Sequence, residues 1–225
     1  MKISRLASSM LVAMLTVGLA TASEASAAPE FKPTGATIRA TSGTSVLTSA
    51  GNIVTCAKDT ATSGAGVTTA TLIGNITVHF LECTGKNVET DTTCPVHSPN
   101  SPLGNLILTT TLHGVLGLIL PKPASGSDTA LVLLPISGDR FVSLEATCLA
   151  SPSAVTGNVA GLIGSIGVPA NTNTLTFGVT AGVQNIKDVD LSTGGLVAPR
   201  LTAFTESATL ESTEALTFSI VTEIT

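Results

Sequence analysis

Asn75-Ile76-Thr77-Val78-His79-Phe80-Leu81-Glu82-Cys83 is the stretch that decides the fold class. Ile76, Val78 and Phe80 fall on one face and Thr77 and His79 on the other, which is the two-residue period of a half-buried strand. The same period recurs as Val142, Leu144, Ala146 and Cys148, as Leu175, Phe177 and Val179, and as Leu216, Phe218 and Ile220. Thr or Ser often stands between the apolar positions. Thr and Val are stiff at χ1 and suit a pleated, half-buried surface.

Working outward, further strand candidates are Ala36 to Thr41, Ser45 to Thr48, Ile53 to Ala57, Val67 to Leu72, Ala130 to Leu134 and Ser207 to Glu211. Leu106 to Leu120 is another, with a break expected near His113. Turn signals lie between them at Ala50-Gly51-Asn52, Ser63-Gly64-Ala65-Gly66, Ser125-Gly126-Ser127-Asp128, Ser137-Gly138-Asp139 and Ser192-Thr193-Gly194-Gly195. No stretch carries helical spacing over a normal helix length. Short strands with frequent turns predict an all-β fold, an antiparallel β-sandwich or barrel-like domain, as a single β-rich domain over 28–225. Pro121 to Asp128 fits either a boundary between two halves or a hairpin connection. Gly85 to Pro102, with Pro95, Pro99 and Pro102, is expected to form a long exposed loop tied at Cys94.

Residues 1–27 read as a secretory signal peptide. Lys2 and Arg5 give the positive start, Leu6 to Ala20 the apolar run, and Ala25-Ser26-Ala27 the cleavage site, with the cut after Ala27. The apolar run is shorter than the ~20 residues a bilayer-spanning helix needs, so no stable transmembrane anchor is expected after processing. Loss of Lys2, Arg5 and Glu24 lowers the formal net charge from −5 by one. An acidic chain with few Lys and Arg offers no phosphate-neutralising stripe, which excludes nucleic acid as an expected partner.

Cys56, Cys83, Cys94 and Cys148 are an even set in a chain read as exported, which favours two disulfides over free thiols. Of the three possible pairings, Cys56 with Cys83 and Cys94 with Cys148 is preferred. Cys56, Cys83 and Cys148 each end a strand-like run, and this choice avoids crossed loops.

No catalytic, cofactor-binding or metal-ligating set stands out. With no Trp or Tyr, and six Phe mostly at alternating apolar positions, stacking platforms for sugars or bases are not expected. Gly164-Ser165-Ile166-Gly167 has the wrong spacing for a nucleophile turn, and nothing distinguishes His79, His97 or His113 as a base. His79 is expected on a strand's polar face and His113 at a bend. Cys94-Pro95-Val96-His97 has the spacing of half a metal site without a second half. Asp188-Val189-Asp190-Leu191-Ser192 resembles the start of a calcium loop, but Thr193 and Pro199 stand where glycine and glutamate are needed. A solvated acidic turn is expected there.

Several local patterns resemble a group of exported, β-rich actinobacterial proteins to which no function is assigned. They are Gly51 followed by Val54-Thr55-Cys56; Phe80-Leu81-Glu82-Cys83; Cys94 followed by Ser98-Pro99 and Gly104; and Leu112-His113-Gly114-Val115-Leu116-Gly117. Phe141 to Cys148, Val155 to Gly161 and Thr174-Leu175-Thr176-Phe177 complete the set, in the same order along most of the chain. Similar chains tend to have Ser-Pro-Gly where this one has Ser98-Pro99-Asn100. The resemblance implies export and a β fold, and it carries over no site.

The function expected from these features is structural or interactive, in the cell envelope or extracellular space, toward a partner the sequence does not identify. An exported hydrolase with an unrecognised site and a membrane-active β protein are the alternatives.

Overall fold

The computed structural model describes residues 28–49, 51–99, 101–124, 126–149, 153–191 and 208–225, and every regular element among them is a β-strand. The first five strands are β1 (Phe31–Lys32), β2 (Ile38–Ser42), β3 (Ser45–Ser49), β4 (Asn52–Thr69) and β5 (Leu72–Asn87). Then come β6 (Thr93–Pro95), β7 (Ile107–Leu108), β8 (Leu112–Ile119), β9 (Thr129–Pro135), β10 (Arg140–Leu144) and β11 (Ser153–Thr156). The rest are β12 (Val159–Ile163), β13 (Ala170–Phe177), β14 (Val179–Thr180), β15 (Val183–Gln184), β16 (Val189–Asp190) and β17 (Thr209–Ile224).

Strands β8, β9, β12, β13, β17, β2, β4 and β5 are successive antiparallel neighbours, and β5 pairs back onto β8 through Leu72↔Val115, Ile73↔Gly114 and Ile76↔Leu112. The sheet is therefore a closed eight-stranded barrel, which resolves the expected sandwich-or-barrel choice. Closure removes the free edges that an open sheet would expose. The long strand β17 also binds β3 at Thr209 to Glu211 and β1 at Glu223 and Ile224. Small additions, β6 and β7 on β5 and β16 on β8, thicken the wall, while β10 with β11 and β14 with β15 form separate ribbons.

Alternation sets what faces inward. On β17, Leu210, Ser212, Glu214, Leu216 and Phe218 are buried while Glu211, Thr213, Ala215 and Thr217 are exposed. On β5 the inward row is Ile76, Val78 and Phe80, as the sequence predicts, with His79 outward. Beyond Phe80 the parity changes, because Glu82 adopts a left-handed backbone (φ 56°) and turns Cys83 inward. An eight-stranded barrel is just wide enough for side chains to fill or for one small ligand. Here Leu131, Leu133, Leu175 and Phe177 fill most of it, with Phe141 added from the β10–β11 ribbon.

A second, smaller apolar cluster lies apart from that core. Val115, Ala130, Val132, Ala160, Val189 and Leu191 pack together, with Leu72, Ile119, Leu134 and Ile186 against them. This is why β8 and β9 read as nearly continuous apolar runs: both of their faces are covered. Gly117 permits the cover, since a Cβ there would lie 2.5 Å from both Leu191 and Val189.

Several local expectations are corrected. Ser63-Gly64-Ala65-Gly66 is not a turn but an irregular part of β4, where the register with β5 shifts between Ser63 and Gly66. Gly66 has φ +66° and a Cβ on it would meet the Ala36 carbonyl oxygen at 2.6 Å, so glycine there serves close approach rather than reversal. The chain reverses at Ala70 and Thr71, inside the expected Val67–Leu72 strand. His113 lies within β8 opposite Leu134, and the break falls earlier, between β7 and β8, where Thr109 bridges to Val142.

The run from Val142 to Cys148 is strand only as far as Leu144, and a bulge between Arg140 and Val142 buries both Phe141 and Val142. Val179 belongs to β14, separate from β13. Ile220 is exposed because β17 loops out between its pairings of Thr217 with Thr172 and Thr222 with Ala170. Gly85 to Pro102 is no long exposed loop: β5 runs on to Asn87, β6 folds back onto Thr84–Lys86, and Val96 is fully buried. Val189 and Asp190 form a strand on β8 rather than a solvated turn, because Val189 and Leu191 belong to the second apolar cluster. Pro121 to Asp128 joins β8 to β9, which is the hairpin alternative. The signal segment, Ala27 and the turn at Ser192 to Gly195 lie outside the described residues.

Candidate functional site

The four cysteines form two disulfides, Cys56–Cys83 and Cys94–Cys148, with no free cysteine among the described residues. Cys56 and Cys83 are directly opposite on β4 and β5, buried in the core. The second bridge ties β6 to the segment after β10, and both of its cysteines are half-buried. Two disulfides are compatible with an extracellular or otherwise oxidising compartment.

The histidines do not converge. His79 is exposed on the outer face of β5, His113 sits in β8, and His97 lies 3.7 Å from the Glu145 carboxylate at the surface. The neighbouring Ser98 hydroxyl is not a nucleophile held by a base. It accepts from Leu108 N at 2.8 Å and contacts the carbonyl oxygens of Leu108 and Ser143 at 3.1 and 3.0 Å, clipping three segments together. Cys94, as a disulfide partner, is unavailable to a metal. Among the described residues no group of three or more His, Cys, Asp or Glu is placed to hold one.

The chemistry lies elsewhere, inside the barrel. Glu214 of β17 pairs across the ladder with Leu175 on one side and Ser42 on the other, and Asp59 of β4 pairs with Phe80. Between them, β2 pairs with β4 up to Thr41↔Thr60, which sets Ser42 beside Asp59. Leu175, Glu214, Ser42, Asp59 and Phe80 thus form one cross-barrel row. The small Ser42 side chain, at the break between β2 and β3, leaves room for the two carboxyls to meet over it. Asp59 is 0% exposed and Glu214 6%.

Hydroxyls fix one oxygen of each acid. Ser42 Oγ donates to Asp59 Oδ2 at 2.5 Å, and Ser212 Oγ lies 2.6 Å from Glu214 Oε1 and 3.5 Å from Asp59 Oδ2. The other oxygens, Asp59 Oδ1 and Glu214 Oε2, meet no donor from outside the pair. Burial, and next the hydrogen bond and charge of the adjacent Asp59 carboxyl, push Glu214 up to about 8, against a smaller downward pull from the Ser212 hydroxyl. At neutral pH the pair therefore keeps one proton, shared between two carboxyls that cannot both ionise cheaply in an apolar interior.

Glu214 also lines a cavity of about 40 Å³ inside the barrel. Its walls are almost wholly apolar, including Ile76, Val78, Leu131, Leu133 and Phe177. The alternation of Leu210, Ser212, Glu214, Leu216 and Phe218 carries the signal that sequence reasoning missed, an acid at inward parity. Asp59 has no such signal, since the parity of β4 changes between Cys56 and Asp59.

Comparison with models of known protein families, with curated proteins and with solved structures finds no match to this chain.

Proposed function

We propose that this chain is an exported structural or interaction protein of the cell envelope or extracellular space, built as a disulfide-braced β-barrel. The observation that carries this is that its cysteines close two disulfides on a barrel already large enough to fold on its own core. The leader-like sequence of residues 1–27 and the resemblance to exported actinobacterial β proteins point the same way. The barrel's outer face is rich in hydroxyls, with Thr41, Thr62, Thr213 and Thr217 outward, and suits a polar protein or wall partner.

The membrane-active alternative is disfavoured by the same faces. A membrane barrel turns an apolar band outward all round, whereas β17, β2 and β5 turn their apolar rows in and the outer apolar face of β8 and β9 is covered by Val189 and Leu191. No helix among the described residues is long and apolar enough to cross a membrane. Expression in a secreting host tests the proposal: culture fluid or wall fractions should contain a chain starting at Ala28, without free thiols, that retains a protein or wall partner on pull-down. A chain found only in the cytoplasm with reduced cysteines overturns it.

A further inference from the structure

We propose that the outer face of β17, β2 and β4 binds a carboxylate-bearing polysaccharide, with an acid group of the polymer on Arg39 and its sugar hydroxyls on the threonines around it. This names a partner class for the hydroxyl-rich outer face and rests on that reading of it.

The register lines these residues up. Thr217 of β17 stands opposite Arg39 of β2, and Arg39 opposite Thr62 of β4. The next outward row is Ala215, Thr41 and Thr60. One row the other way, Thr37 N donates to Ser219 Oγ at 2.9 Å. With strands ~4.8 Å apart and ~3.4 Å of rise per residue, the patch measures about 10 by 13 Å. Thr172 and Thr77 extend the Arg39 row onto β13 and β5.

The polar groups of this patch are unengaged. The hydroxyls of Thr41, Thr60, Thr62 and Thr217 have no protein partner among the described residues, whereas those of Thr84 and Thr110 bond backbone carbonyls. Arg39 is exposed and likewise unpaired, although Lys32, Lys58, Lys86 and Lys122 each have a carboxylate within 3.7 Å. The outward acids of β17, Glu211 and Glu223, are farther along the strand from Thr217 than the ~8 Å over which physiological salt screens charges, so neither neutralises Arg39.

A guanidinium is a planar fork with one charge, and a planar carboxylate matches it in two parallel hydrogen bonds. Each threonine adds a donor, two lone pairs and a methyl, which suits a sugar ring with hydroxyls on its edge and C–H groups on its face. A barrel wall is convex, whereas sites for small molecules are concave, so the face suits a chain laid across it. An acidic peptide would satisfy Arg39 but brings few hydroxyls to the threonines. With no Trp or Tyr in the chain to stack on sugars, recognition rests on these hydrogen bonds.

Calorimetric titration of the purified, disulfide-bonded protein at physiological salt tests this with polygalacturonate, with pullulan as a neutral polysaccharide and with poly-L-glutamate as a polyanion without hydroxyls. Polygalacturonate should bind about tenfold tighter than either. Arg39→Gln should weaken it about tenfold, and Arg39→Lys should restore only part of the loss, since the charge returns without the fork. Thr62→Val with Thr217→Val, which keeps the side-chain shape, should weaken it about threefold. Amide NMR signals of Arg39, Thr41, Thr62 and Thr217 should shift in the unaltered protein. Equal binding of polyglutamate would mean that charge alone is read, as by an acidic protein partner, and would overturn the proposal. So would equal binding of pullulan, absence of binding by polygalacturonate, unchanged affinity in Arg39→Gln, or shifts confined to other residues. Each of these outcomes leaves the export proposal standing, which is judged by where the chain is found and by the state of its thiols.

Discussion

Glu214 and Asp59 reach each other across Ser42, from strands that are not hydrogen-bonded to one another. Their contact thus binds three neighbouring strands of the barrel, β17, β2 and β4, through one shared proton.

Stability should therefore fall as pH rises. Glu214 titrates at 4.5 ordinarily and at about 8 in the fold, so between those values the native state holds a proton that the unfolded chain has released. Its contribution is undiminished below pH 4.5, is lost progressively above it, and levels off beyond about pH 8. The loss should amount to a few kcal/mol, on the order expected from such a displacement. Urea unfolding from pH 4 to 9 measures it, and Glu214→Gln should flatten the slope; identical pH profiles would refute it.

Ser98→Ala should destabilise the protein by ~1–3 kcal/mol, because Leu108 N loses its acceptor in a half-buried setting. Denaturant midpoints read this directly. If Ser98 were instead a hydrolytic nucleophile, the variant would lose esterase turnover while its stability stayed unchanged.

Gly117→Val should detach β16 without opening the barrel, since its side chain would collide with Val189 and Leu191. Overpacking of this kind costs ~1–3 kcal/mol. Hydrogen exchange at the Leu120 amide, which donates to Asp188 O, should accelerate markedly, while Ile76 and Val78 amides stay protected.

The two disulfides should differ under mild reductant. Half-buried Cys94–Cys148 should open first, while Cys56–Cys83 resists. By loop length the longer Cys94–Cys148 bridge is worth slightly more, ~4 against ~3.5 kcal/mol. Even so, the Cys56→Ala, Cys83→Ala pair should cost more, because it also leaves a cavity in the core. Mass spectrometry after timed alkylation and urea midpoints check both.

The fold class and both bridges were legible because alternation at Ile76, Val78 and Phe80 and the strand-end positions of the cysteines are local signals. Long strands were harder to read. Gly64 and Gly66 look like punctuation, yet a closing barrel bends its staves at such residues instead of ending them. The acid pair was hidden for a different reason: its meeting depends on the register of three strands, which bring Asp59 and Glu214 together from distant parts of the chain.

The late strand β17 accepts β1, β2, β3 and β13. A ribosome delivers its partners first and leaves them waiting, so nothing can seal into a ring until Thr209 to Ile224 has emerged. The ring of staves consequently stays open until that strand arrives, and it sets into a rigid body only afterwards.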